Sequence, residues 1–272
     1  MDERVSRRSR VSVVQDFLRC ATAMLAIGSH TAFASSGIEP QIVNGSLSSA
    51  WPGIGAVIAD ASAQCSATLI APQWVLTAAH CVVGFNNFTF SGATNINNPN
   101  AVFYTADAAM SDPSYNENNV FNGHDIGLLH FPAPLPAMPL RLSDNRTLVH
   151  VGDRIALMGY GFNNSNGTGD GLKRLGFATL SVLDNHVLEF DNGPASACDG
   201  DSGGPAFVLG ADGFPTLVGV ISFGSQTCDL TGADVLPDVL TYIQAAVPQL
   251  CLTSTVGAPC EGVFRDGFDA AP

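Results

Sequence analysis

The stretch ACDGDSGGPAF, Ala197 to Phe207, sets one hydroxyl, Ser202, between a carboxylate and two glycines. A surface turn and a nucleophile clamped in a tight loop both fit it, and the rest of the chain decides between them. A Ser hydroxyl is a poor nucleophile at neutral pH. It needs a base of suitable pKa, and the base needs a carboxylate to fix its tautomer and stabilise its protonated form. Two distant segments offer those groups: LTAAHC brings His80, and HDIGLL brings Asp125 on an expected strand. A histidine, an acid and an alcohol therefore stand in that order along the chain.

The segments around them read as strands. GAVIAD, SATLIAPQWVLTAA, DRIALMGYG, HVLEF and TLVGVISFG are short runs rich in β-branched or aromatic residues, and the 28 Gly and 16 Pro fall largely between such runs. This pattern predicts an all-β chain of short strands joined by turns. FPAPLPAMPL, residues 131–140, holds four prolines and predicts an extended connector between two halves. LPDVLTYIQAAVPQL places Val239, Leu240, Ile243 and Val247 at helical spacing behind Pro237, and a helix is expected over about 237–247. With 46% hydrophobic and 13% charged residues, the chain can bury a substantial core.

The N-terminus differs. Arg4, Arg7, Arg8, Arg10 and Arg19 precede the short apolar run CATAMLAIG and a small-x-small ending at Ala34, which predicts a secretory signal over 1–34 and a secreted protein, extracellular or periplasmic. No apolar run is long enough for a membrane span. From Ile42 onward there are 6 of the 11 Lys and Arg but 20 of the 24 Asp and Glu, so a nucleic-acid partner is not expected. Of seven cysteines, Cys20 lies in the signal, and the remaining six predict three disulfides in an exported protein. No C-x-x-C pair occurs, and neither a metal nor a cofactor is expected.

The ordered set IVNG, LTAAHC, DIGLL, GYG, GDSGGP and SFG, followed by the terminal helix, resembles the trypsin-like (chymotrypsin-fold) serine endopeptidases from Ile42 to about Gln249. The resemblance implies two packed antiparallel six-stranded β-barrels, about 42–135 and 140–236, within a protease domain over 42–250. It leaves 251–272 as a tail. It implies His80 as general base and then acid, Asp125 as its orienting carboxylate, and Ser202 as nucleophile. The backbone N–H groups of Gly200 and Ser202 would form the oxyanion hole. Ser222 would bond the triad acid, with Ser222, Phe223 and Gly224 pairing with the substrate backbone.

The same resemblance implies a precursor with a short propeptide, 35–41. Cleavage before Ile42 would free an ammonium to pair with Asp201, though Gln41 stands where Arg or Lys is commoner, so the activating protease is a partner of unknown kind. It pairs Cys65 with Cys81 and Cys198 with Cys228; Cys251 and Cys260, outside the resemblance, remain for each other. Residues 82–106 lack the acids of a calcium loop seen in many relatives. The specificity pocket reads two ways. Ser196 at its floor points to large apolar side chains, while Asp234, counted from Cys228 onto the opposite wall, points to Lys or Arg. The dipeptide Lys173-Arg174, beyond a Gly/Asn-rich loop, is an expected nicking site. The implied activity is peptide-bond hydrolysis through an acyl-enzyme by a monomer acting on protein or peptide substrates. The alternative is a catalytically silent binding protein on the same fold.

Overall fold

The computed structural model describes residues 42–191 and 193–255. The expected signal, the propeptide, residues 256–272 of the tail and Cys260 lie outside the described residues. In chain order the strands are β1 (Ser46–Leu47), β2 (Ile54–Ala59), β3 (Ala63–Ala71), β4 (Trp74–Thr77), β5 (Phe88–Ser91), β6 (Tyr104–Thr105), β7 (Ala108–Ser111), β8 (Gly127–His130), β9 (Arg141–Leu142), β10 (Arg154–Gly159), β11 (Arg174–Thr179), β12 (Val182–Leu183), β13 (Val187–Asp191), β14 (Pro205–Leu209), β15 (Pro215–Gly224) and β16 (Leu230–Val235). Among the described residues one α-helix, α1 (Leu236–Ala246), follows β16 directly.

The strands form two curled sheets. The first runs β6-β5-β2-β3-β4-β8-β7, and the second runs β1-β11-β10-β14-β15-β16-β13-β12 with β9 beside β15. The sheets number seven and nine strands, and the expected six per barrel are their longer members. Each sheet has six strands of four residues or more, and the extra members are two-residue strands at which loops touch an edge. Among the described residues only β9 pairs in parallel, with β15; all other pairings between these strands are antiparallel. The proline-rich segment 131–140 between the two sheets carries neither helix nor strand. Proline cannot donate to a ladder, so this connector stays outside both sheets.

Each sheet curls around its own core. Val57, Leu69, Val75, Phe90, Leu129 and Phe131 fill the first, and Ile155, Leu157, Leu188, Phe190, Val218 and Ile221 the second. β2 and β15 are buried along nearly their whole length because each has neighbours on both edges and lies against its core. Helix α1 packs Val239, Leu240 and Ile243 against Leu76, Ile126 and Leu128 of the first half and Leu217 and Val220 of the second. One apolar stripe thus ties the strand before His80 and the strand after Asp125 to β15. Among the described residues no helix is long and apolar enough to cross a membrane.

The expected nicking site is corrected. Lys173 and Arg174 are buried at the start of β11, with Lys173 Nζ donating to the carbonyls of Trp51 (3.3 Å) and Gly92 (3.1 Å). A protease cannot thread a bond that is held in a sheet and covered.

Candidate active site

His80 sits in a single 3-10 turn, Ala79–Cys81, that ends β4. The Cys65–Cys81 disulfide ties that turn back to β3. Asp125 follows His124, which has φ +70°, and precedes β8; Ile126 N donates across it to His124 O at 2.8 Å. This tight turn takes Asp125 out of the strand ladder and leaves its carboxylate free to face the His80 turn. The Asp125 side chain is fully buried and carries three hydrogen bonds. Its Oδ1 accepts the His80 backbone N–H at 2.9 Å, and its Oδ2 accepts His80 Nδ1 at 2.7 Å and Ser222 Oγ at 2.7 Å. A carboxylate oxygen facing the ring at this distance holds the imidazole with Nδ1 protonated, which leaves Nε2 as the basic atom.

Ser222 reaches Asp125 because the β15–β16 register shifts between Ile221 and Phe223. The bulge re-aims the intervening side chain. Next to it, Phe223 lies over Gly232, where an added Cβ would fall 2.1 Å from the ring, and Phe223 meets the exposed Phe121 edge-on at 4.9 Å. Gly224 follows at the strand end and lines the pocket described below.

Ser202 is brought beside the His80 turn by its backbone. The Ser202 carbonyl accepts Ser66 N–H at 2.8 Å and lies 3.8 Å from Cys81 Sγ. Gly203 (φ +80°) then passes so close to β4 that a Cβ there would fall 2.0 Å from Thr77 Oγ1, so no other residue fits. Among the described residues, the Ser202 hydroxyl and the backbone N–H groups of Gly200 and Ser202 have no hydrogen-bond partner. A hydroxyl and two amide donors therefore stand unpaired within one turn of chain. His80 also lies near both sulfurs of the Cys65–Cys81 bridge, but bridged sulfurs offer no thiolate to a metal.

Beside Ser202 is a small pocket of about 50 Å³, lined by Ala197, Cys198, Asp199, Ile221, Phe223, Gly224 and Ser225. The Cys198–Cys228 disulfide joins its walls. Behind the lining residue Ala197, Ser196 Oγ and Thr231 Oγ1 are 2.9 Å apart, and Thr231 Oγ1 also accepts Ala197 N–H at 2.7 Å. Both side chains are buried. Thr231 was not singled out from the sequence. The tight turn after Gly224, in which Ser225 N–H donates to Leu230 O and Cys228 N–H to Ser225 O, brings it opposite Gly224.

The placement of Asp234 on the pocket wall is corrected. Thr231 and Asp234 are three residues apart on one strand, so they point to opposite faces. Thr231 faces Ser196, and Asp234 faces away, where its Oδ2 accepts the Asp125 backbone N–H at 2.5 Å. A larger apolar groove of about 270 Å³ between the proline connector and Phe214–Pro215 holds no nucleophile or base, so it is not a reaction site.

Asp201 is fully buried, and its two oxygens accept Gly161 N–H (2.8 Å) and Cys198 N–H (2.9 Å). The glycines of GYG make the room: a Cβ on Gly159 would fall 2.1 Å from Asp201 Oδ1. Burial pushes the Asp201 carboxyl up to about 7, against the pull of its two amide donors and of Arg174. Ile42 is buried with Ala195 and Ala197, and Val43 pairs with Ser196. Cys251 is disulfide-bonded, and its expected partner Cys260 lies outside the described residues.

These buried acids give a pH signature. Asp201 and Asp234, the latter pushed up to about 8 chiefly by burial, hold protons in the folded chain at pH values where the unfolded chain has lost them. Stability from these two groups is therefore greatest near pH 4 and declines as pH rises toward 8. Thermal unfolding between pH 5 and pH 8 should show the melting temperature falling, with a shallower fall in Asp201→Asn. An unchanged slope in that variant would contradict the placement of a protonated acid there.

Comparison with known proteins gives one consistent group. The family model described as Trypsin matches residues 42–250. The chain is similar to brachyurin from Leptuca pugilator, 28% identical over 220 residues that cover 75% of this chain and 95% of that protein. It is similar to chymotrypsin-2 from Vespa crabro, 28% identical over 195 residues covering 64% and 84%. It is also similar to granzyme M from Homo sapiens, 27% identical over 251 residues covering 82% and 95%.

Proposed function

The chain belongs to the trypsin family of serine endopeptidases, and on that premise we propose that it is exported as a precursor, cut before Ile42, and then hydrolyses peptide bonds through His80, Asp125 and Ser202. The observation that carries this reading is the run of hydrogen bonds from His80 Nδ1 through Asp125 to Ser222, with the unpaired Ser202 hydroxyl beside the His80 turn. Within it, His80 Nε2 takes the Ser202 proton as Oγ attacks the scissile carbonyl. The oxyanion is received by the free N–H groups of Gly200 and Ser202. His80 then protonates the leaving amine, and water repeats the sequence on the acyl-enzyme. The domain layout follows the same reading: a signal over 1–34, a propeptide over 35–41, the protease over 42–250 and a tail to 272.

The fully buried Asp201 supports activation. A free ammonium at Ile42 would supply the full positive charge that its present partners, two amides, do not. Pairing would bring the carboxyl back to the ionised form and fix the loop that carries Gly200 and Ser202. Losing one partner of such a buried pair costs about 3–5 kcal/mol.

The pocket supports a preference outside the two alternatives the sequence offered. Two mutually bonded hydroxyls stand behind its lining residue Ala197, it has no buried carboxylate once Asp234 is removed from it, and its volume is about 50 Å³. This favours small uncharged side chains before the cleaved bond. The test is a peptide library offered to full-length protein and to protein cut between Gln41 and Ile42. The expected result is cleavage by the cut form alone, after small uncharged residues. In Thr231→Gly, which empties the space behind Ala197, preference should move toward larger apolar residues by about 10- to 200-fold in kcat/KM. Silence from both forms would favour a binding protein, and a preference for Lys or Arg would refute this account of the pocket.

A further inference from the structure

On the side of Asp125 away from the pocket lies a group that the reaction described above does not use. Asp234 is fully buried on β16, between Val220 of β15 and Val187 of β13. Its Oδ2 accepts the Asp125 backbone N–H at 2.5 Å, and its Oδ1 is buried with no hydrogen-bond partner among the described residues. Two carboxyls this close, shielded from water, do not both ionise at low cost. The donor inventory decides which one keeps the charge: Asp125 takes three side-chain hydrogen bonds, Asp234 takes one.

The surrounding groups point the same way. From the loop after β7 come Asp112, engaged by His124 at 2.9 Å, and Tyr115, whose phenol is raised by burial first and then by Asp125, Glu117 and Asp234. From α1 comes Asp238, engaged by Arg146 at 2.8 Å and by His186, which precedes β13, at 2.7 Å. Tyr242 of α1 also lies near Asp112. His124, Arg146 and His186 each already have another carboxylate, and among the described residues none bonds to Asp234.

We propose that Asp234 is a positioning residue of the peptidase reaction: a neutral carboxylic acid that anchors the Asp125 backbone and keeps the negative charge behind His80 at one unit. The proposal rests on the reading of His80, Asp125 and Ser202 as the triad. Burial chiefly, and then the charge of Asp125, push the Asp234 carboxyl up to about 8. Above that pH a second negative charge appears behind His80 and stabilises its imidazolium, the species formed in the transition state. The expected effect is a rise in kcat of about 3- to 10-fold between pH 7 and pH 9.5.

The test uses cut enzyme whose active molecules are counted by fluorophosphonate titration of Ser202. Asp234→Val leaves the Asp125 N–H buried and unpaired, and kcat at pH 7 should fall about 10- to 100-fold with little change in KM. Asp234→Asn restores the acceptor without a titratable group, so it should recover kcat at pH 7 and lack the alkaline rise. Both enzymes keep the Ile42 ammonium, so the difference between their profiles reports Asp234 alone. Should the Val variant fail to fold, the pH profiles of parent and Asn variant carry the test. Parallel profiles to pH 9.5, or an Asn variant that loses kcat at pH 7 as the Val variant does, would overturn the proposal. A parent enzyme that does not label at Ser202 would instead overturn the triad reading beneath it.

Discussion

Ser202→Ala should lower kcat by a factor on the order of 10⁶ while leaving the fold and KM nearly unchanged. The structure explains both halves of that expectation. The Ser202 side chain has no hydrogen-bond partner among the described residues, so removing its oxygen orphans no buried group. What positions residue 202 is its backbone: the carbonyl on Ser66 N–H and the close passage of Gly203 over Thr77. Alanine keeps both. Substrate should therefore still bind, and the measurement is kcat and KM on a peptide substrate beside a thermal melt of the same protein. A large rise in KM, or a melting temperature several degrees lower, would mean that the hydroxyl has a structural partner this account omits.

Asp125→Asn should cost about 10⁴ in kcat, again with KM little affected. Asp125 Oδ2 accepts from both His80 Nδ1 and Ser222 Oγ, and Oδ1 accepts from the His80 backbone. An amide has one oxygen and one NH₂, so it cannot accept at both positions. With its NH₂ toward the ring, His80 must accept at Nδ1 and carry its proton on Nε2, the atom that has to receive the Ser202 proton. With its NH₂ toward the backbone, two donors face each other in a buried site, which costs stability. The two outcomes differ in readout. The wrong tautomer lowers kcat and leaves the melt unchanged, whereas donor facing donor lowers both. Retention of kcat within tenfold would remove Asp125 from the proposed relay.

The strands that flank His80, Asp125 and Ser202 were legible because each lies in a short segment whose apolar run and turn residues are local. The helix was legible for the same reason: the pattern predicted 237–247, and α1 runs Leu236–Ala246. The pocket was not. What stands behind Ala197 depends on which residue of β16 faces Ser196, and that is set by the Ser225–Leu230 turn and the bulge at Ser222, neither of which leaves a mark in composition. Counting from Cys228 to a presumed wall position reached Asp234, on the wrong face of the strand. Thr231, whose Oγ1 lies 2.9 Å from Ser196 Oγ, was passed over because a single Thr in a strand carries no distinctive signal. Lys173 and Arg174 looked exposed for a related reason. Charge predicts solvent in general, but here backbone carbonyls take the place of water around the ammonium.

The most direct measurement is mass-spectrometric mapping of the cut, folded protein after brief treatment with a fluorophosphonate. A phosphonyl adduct on Ser202, formed faster as His80 loses its proton and absent in His80→Ala, is the predicted result. Ser202 left unmodified in folded protein, or modified equally well without the His80 imidazole, would contradict the claim that the two act as one.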